Sequence, residues 1–185
     1  MRVVAGSLGS RVLESAPNGV RPTGDRVRES LFGRLGDIVG CRVLDLYAGT
    51  GSLGIEALSR GAKRVTFVDR ASTSLRVLNK NLANLEIESH CKVIRGEVRK
   101  VLRRLETQGQ QFDLVFMDPP YDGDEYAPVL EQVADSELLA PHGMLVVESA
   151  KRHPLPSVAE LSLDVVDERA TGDTIITRLR SADGE

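Results

Sequence analysis

From residue 41 onward, short β-branched apolar runs alternate with stretches whose apolar residues recur every three to four positions. That alternation predicts strands over 42–46, 64–68, 92–94, 114–117 and 144–148, with amphipathic helices over 52–60, 72–85, 97–106 and 125–136. Two further strands are predicted over 161–168 and 174–179, separated only by the turn residues of 169–173, so the sheet is expected to finish on an antiparallel hairpin. Ahead of this pattern, 2–5 and 11–14 read as two short β stretches around a glycine-bearing turn. Pro17, Gly19 and Pro22 then break regular structure, and Thr23 or Asp25 can cap a helix that carries Val27, Leu31 and Leu35 on one face before Gly36 ends it.

The expected fold is therefore α/β and Rossmann-like: a mostly parallel seven-stranded sheet that ends in an antiparallel hairpin, with a small N-terminal β-hairpin extension. The chain divides into an arm over 1–22 and a main domain over 23–185. Because the sheet core begins only at Arg42, the arm is expected to be dispensable for folding.

Composition narrows the class. With 41% apolar and 28% charged residues over 185 positions, the chain has enough material for one core and too little net charge to stay disordered. No apolar run approaches the ~20 residues of a membrane helix, and Gly6 comes too early for a secretory signal, so the expected location is the cytoplasm, with a monomer as the default state. Cys41 and Cys91 sit at the starts of predicted strands and read as reduced core thiols. His90, His142 and His153 are scattered, and no metal site is expected.

The net charge of −3 speaks against a nucleic-acid protein, but it hides an asymmetry. Residues 1–36 hold Arg2, Arg11, Arg21, Arg26, Arg28 and Arg34 against Glu14, Asp25 and Glu29, leaving this segment at +3 and the remainder at −6. Arg2, Arg11, Arg21, Arg26 and Arg28 are the candidate nucleic-acid contacts. A second basic face, Arg99, Lys100, Arg103 and Arg104, lies opposite Val98, Val101, Leu102 and Leu105 and is more simply a solvated helix face.

The first predicted strand runs into Asp45-Leu46-Tyr47-Ala48-Gly49-Thr50-Gly51-Ser52-Leu53-Gly54. Gly49-x-Gly51-x-x-Gly54 lets the backbone turn tightly and approach a ligand, and the same spacing satisfies a dinucleotide fingerprint. Asp45 favours a cationic ligand, S-adenosylmethionine, because an anion there would repel a diphosphate. Asp69, followed by Arg70, ends the second strand at the spacing where a carboxylate accepts ribose hydroxyls, which both ligands carry. Glu97 and Val98, after the third strand, are candidates for the adenine contact. The candidate cofactor set is thus Asp45, Tyr47, Ala48, Gly49, Thr50, Gly51, Gly54, Asp69, Arg70, Glu97 and Val98.

Asp118-Pro119-Pro120-Tyr121 follows the fourth strand, at the edge of the sheet where open α/β folds bind ligands. An exocyclic amine on a purine is a poor nucleophile, since its lone pair is delocalised into the ring. Asp118 can accept one N–H and a proline-stiffened carbonyl, that of Pro119, the other, while Tyr121 offers a stacking face.

Together the tetrad and the Asp-x-x-Ala-Gly-x-Gly loop resemble the amino-methyltransferases. The closer likeness is to the bacterial family that methylates guanine N2 in small-subunit ribosomal RNA. It is carried by Arg21-Pro22-Thr23, Asp25-Arg26-Val27-Arg28-Glu29, Leu31-Phe32, the segment from Asp45 through Gly61, and Asp118-Pro119-Pro120-Tyr121. The resemblance covers nearly the whole chain and implies one guanine as substrate, presented within a ribosomal particle. Glu97 departs from the pattern, where Asp or Asn is commoner. Adenine-N6 or glutamine methylation stays open, because the same tetrad can hold either group. A nicotinamide dehydrogenase and a non-catalytic RNA-binding module are the readings from other classes.

Overall fold

Helix α1, Asp25–Phe32, starts after Gly24, whose extended backbone supplies the cap without a side chain, and stops at Gly33. The face it buries is Arg28, Leu31 and Phe32, while Val27 and Leu35 are only half-buried. The apolar spacing of Val27, Leu31 and Leu35 therefore marks the buried face only at Leu31, because Arg28 goes inward and the helix ends before Leu35. These observations come from a computed structural model that describes residues 1–15, 24–119, 126–158 and 160–181.

Strand β1, Arg42–Leu46, is buried at every position but its first, as expected of a parallel strand covered on both faces. After it come helix α2, Ser52–Ser59, strand β2, Arg64–Asp69, and helix α3, Ser72–Leu85. A single 3-10 turn, Glu88–His90, leads into strand β3, Cys91–Arg95. β1 pairs parallel with β2, and β2 with β3. The register of β1 on β2 puts Asp45 opposite Phe67.

Residues 1–97 make one compact unit and residues 98–185 a second. The second holds helix α4, Val98–Thr107, strand β4, Phe112–Met117, helix α5, Tyr126–Ala134, and strands β5, Leu139–Ala150, β6, Leu163–Thr171, and β7, Thr174–Ser181. β4 and β5 are parallel, and β7 runs antiparallel to both β5 and β6. Along the sheet the order is β3-β2-β1-β4-β5-β7-β6, the mixed Rossmann-like arrangement with an antiparallel end hairpin.

Most predicted boundaries hold to within two residues, but α1 ends early at Phe32, β6 runs on to Thr171, and β5 departs most, starting at Leu139 ahead of Pro141 and Gly143. His142 takes a left-handed φ of 61° there, yet pairing with β4 runs from Leu139 and resumes at Met144. The closing hairpin is also tighter than 169–173 suggests: Thr171 pairs with Thr174, leaving a turn of Gly172 and Asp173 with Gly172 at φ 62°.

The N-terminal segment departs further from expectation. Instead of two strands it has one isolated antiparallel bridge, Arg2 to Val12, flanked by Val3 N–H donating to the Arg11 carbonyl and Ser10 N–H donating to the Val3 carbonyl, both at 2.9 Å. It is no detached appendage either. Val3 and Leu13 are 1% and 2% exposed, within the core of the first unit. Gly6, at φ 82°, presses so close to α2 that a Cβ there would lie 1.9 Å from the Ser59 carbonyl oxygen.

Candidate active site

The glycine loop closes on itself. Tyr47, Gly49 and Gly51 have φ of 59°, 55° and 87°, so three of five consecutive residues are left-handed. For a tyrosine this conformation costs about 1–2 kcal/mol and persists only where the surroundings impose it. The surroundings are hydrogen bonds: Ala48 N–H donates to the Val68 carbonyl at 3.0 Å and Gly51 N–H to the Ala48 carbonyl at 2.7 Å. Gly49 N–H donates to Asp69 Oδ2 at 2.8 Å, and Gly54 N–H to Asp45 Oδ2 at 2.9 Å. Gly54 serves packing as well, since a Cβ there would sit 2.3 Å from the Phe67 ring.

A diphosphate is held by bare N–H groups, whereas the amides of Gly49, Gly51 and Gly54 are bonded within the protein. Asp45, by contrast, is no simple anion. It is 2% exposed, and burial, offset in part by the Gly54 N–H and reinforced by Asp69, pushes its carboxyl up to about 7. A carboxyl so buried and so raised repels a diphosphate less than the sequence implies.

Asp69 ends β2 half-exposed, with Oδ1 accepting from Ala71 N–H at 2.7 Å and Oδ2 from Gly49. Each oxygen keeps a second lone pair. Gly96 N–H donates to the Asp69 carbonyl at 3.0 Å, which brings the exposed Glu97 to the end of β2. Asp45, residues 47–54, Asp69 and Glu97 thus gather at the carboxyl ends of β1, β2 and β3. Arg70 is exposed, its carbonyl accepting from Arg95 Nε at 3.4 Å. Val98 is 4% exposed and shares the inward face of α4 with Val101, Leu102 and Leu105.

In the second unit, Asp118 follows β4 half-exposed and Pro119 is buried. Pro120 and Tyr121 lie outside the described residues, as do Arg21, Pro22 and Thr23. A residue not singled out in the sequence, Tyr126, opens α5 buried, with its hydroxyl donating to the Glu148 carbonyl at 3.3 Å. Burial, followed by the Asp118 and Glu148 carboxylates, pushes its phenol up to about 12. A tyrosine in the first turn of the helix after the tetrad was the available signal.

Arg28 corrects the list of candidate nucleic-acid contacts. It is fully buried, with Nη2 donating to Asp25 Oδ1 and to the Arg2 carbonyl, both at 2.6 Å. A side chain so enclosed holds the arm and cannot meet a phosphate. Arg2, Arg11 and Arg26 are exposed, Arg11 donating to the Asn84 carbonyl at 3.1 Å. Other unforeseen residues anchor the arm. Glu56, with no exposure, accepts from Val4 and Ala5 N–H at 2.7 and 3.1 Å and pairs with Arg60 at 2.8 Å. Ser59 Oγ accepts from Leu8 N–H at 3.0 Å and donates to the Ala5 carbonyl.

Both cysteines are free and half-buried. Burial and then Glu88 push the Cys91 thiol up to about 12, which disfavours its thiolate. Among the described residues there is no group of three potential metal ligands, and no helix is long and apolar enough to cross a membrane.

The sequence is similar to characterised proteins over almost its full length. Ribosomal RNA small subunit methyltransferase D of Haemophilus influenzae is 37% identical over 175 residues, spanning 93% of this chain and 89% of the relative. The Escherichia coli protein of the same name is 34% identical over 160 residues, spanning 85% and 79%. A solved Escherichia coli structure, provisionally described as the methyltransferase yhhF, superposes with a TM-score of 0.85 at 32% identity, covering 98% of this chain and 97% of that one. With the profile of the family described as Conserved hypothetical protein 95 matching residues 1–180, the chain belongs to that family, alongside ribosomal RNA small subunit methyltransferase D.

Proposed function

We propose that this chain is an S-adenosylmethionine-dependent methyltransferase acting in the cytoplasm on the exocyclic N2 amine of one guanine in small-subunit ribosomal RNA, within a ribosomal particle. The observation that carries it is the closed glycine loop. Its three glycine amides are used internally while two carboxylates, Asp45 and Asp69, stand at the ends of β1 and β2. Acceptors in place of free N–H donors suit a cationic nucleoside better than a dinucleotide. The names of the relatives in the family support ribosomal RNA as substrate.

When bound, S-adenosylmethionine supplies an electrophilic methyl group. Asp69 has lone pairs for the ribose hydroxyls, and Glu97 lies beside it for the adenine edge. Asp45 attracts the ligand's positive charge, which favours its ionised form. Asp118 accepts one N–H of the acceptor amine, orienting the nitrogen and receiving the proton that leaves it. The Pro119 carbonyl accepts the second N–H, with Pro120 stiffening the turn and Tyr121 stacking on the base. The arm over 1–22 holds phosphates through Arg2, Arg11 and Arg21, and Arg26 on α1 adds a further contact.

The test is methyl transfer from labelled S-adenosylmethionine to small-subunit particles, protein-free ribosomal RNA, DNA and protein, followed by nucleoside chromatography. N2-methylguanosine from the particles is expected. N6-methyladenosine, methylglutamine or no transfer would overturn the reading.

A further inference from the structure

The arm, α3 and the glycine loop meet on one side chain, Asn81, which is 1% exposed. Its Oδ1 accepts from Glu14 N–H at 2.8 Å, and its Nδ2 donates to the Glu14 carbonyl at 3.1 Å and to the Thr50 carbonyl at 3.2 Å. Trading a donor and an acceptor with one residue's backbone is what a neighbouring strand does, so the amide stands in for a strand along the arm. The remaining N–H reaches the loop itself, at the residue between the two left-handed glycines.

Few side chains can make these three bonds. A carboxylate has no donor for either carbonyl, and an aliphatic residue would leave three buried backbone groups without partners. Leu78, one turn earlier on α3, supports the same loop by apolar contact, because a Cβ on Gly51 would fall 2.3 Å from its Cδ1. The other grips of α3 on the arm lie at the surface: Lys80 to Glu14 at 2.7 Å with both partners well exposed, and Arg11 to the Asn84 carbonyl. Among the described bonds, Asn81 alone joins arm and loop through a single group.

We propose that Asn81 is a positioning residue for the donor site. It fixes the Thr50 carbonyl, and with it the conformation of residues 47–54, and it couples that loop to the arm at Glu14. The proposal rests on reading this loop as the S-adenosylmethionine site. A disturbance of the arm at Glu14 then reaches the loop, whereas one at Ser59, which holds Ala5 and Leu8, does not.

Three variants of the full chain test this: Asn81→Ala, Asn81→Ser, whose hydroxyl cannot span from Glu14 to Thr50, and Ser59→Ala as a control for arm loosening. The measurements are calorimetry with S-adenosylhomocysteine, hydrogen exchange of residues 47–54 without ligand, and methylation of small-subunit particles. Asn81→Ala is expected to weaken S-adenosylhomocysteine binding about tenfold, the scale of buried polar groups left unpaired. KM for S-adenosylmethionine should rise in step while kcat at saturating donor stays within about twofold, the pattern of lost uniform binding. Exchange of residues 47–54 should accelerate in both Asn81 variants, less in Asn81→Ser, and not in Ser59→Ala, even where Ser59→Ala lowers the unfolding midpoint as much.

Equal effects of Asn81→Ala and Ser59→Ala on affinity, or unchanged loop exchange, would overturn the proposal. Should Asn81→Ala fail to fold, Asn81→Ser carries the same readings. If the wild-type protein itself binds no S-adenosylhomocysteine, the donor-site reading fails, and loop exchange still decides whether Asn81 holds the loop.

Discussion

At the scale of single residues, two carboxylates carry separate predictions. Asp118 is assigned to the acceptor amine, so Asp118→Ala should lower methylation by roughly two to three orders of magnitude, the usual cost of one positioned polar contact at a reacting centre. S-adenosylhomocysteine affinity should survive, and full activity would reduce the tetrad to a turn. Asp45 makes a prediction about stability. Its carboxyl is raised from 3.8 to about 7 by burial, so between those values the folded protein holds a proton that the unfolded chain releases. Stability should therefore fall as pH rises through that window, by up to about 1.4 kcal/mol per pH unit, and level off above it. In Asp45→Asn, which keeps a carbonyl for the Gly54 N–H, urea midpoints across the window should lose this decline. An unchanged slope would place the titration elsewhere.

Among the elements, the arm shows what local pattern reveals and what it does not. The bounds of β1 and α3 are legible in the sequence to the residue because hydrophobic period and burial coincide there. The glycine loop is legible because its glycines and acids are consecutive. The arm's role is not, since its partners Glu56, Ser59 and Asn81 lie more than 50 residues along the chain. Nor does periodicity reveal that Arg28 points inward, because a charge ordinarily marks the solvent face. Tyr126 stays hidden for a related reason: its neighbours Asp118 and Glu148 belong to two other strand ends. The packing of the arm argues against the expectation that it is dispensable for folding. A chain beginning at residue 20 loses the buried Val3 and Leu13, each worth about 1.5–3 kcal/mol, and leaves the enclosed Glu56 with two backbone donors fewer. Its denaturation midpoint should fall well below that of the full chain, or the protein should fail to fold. Equal midpoints would show that the arm contributes nothing to the core.

For the molecule as a whole, the charge distribution matters more than the total. The +3 of residues 1–36 counts Arg28, which is sealed against Asp25 and the Arg2 carbonyl and cannot release counterions from RNA. The cations left facing outward on the described arm and α1 are Arg2 and Arg11, beside Val12, which is 78% exposed, and Arg26. A protein with a net charge of −3 that binds a polyanion must rely on such a local patch. Binding of small-subunit particles across a salt series separates the two kinds of arginine. Each of Arg2→Ala, Arg11→Ala and Arg26→Ala should reduce the slope of log K against log salt by about 0.7–0.9, the release from one phosphate, with the unfolding midpoint nearly unchanged. Arg28→Ala should do the reverse, lowering the midpoint because the arm loses its tie to α1 while the slope stays at the wild-type value. A slope that drops for Arg28→Ala in protein still folded, or that stays fixed in all three surface variants, would move the RNA-contact surface away from the arm and onto the exposed Arg99, Lys100, Arg103 and Arg104 face of α4.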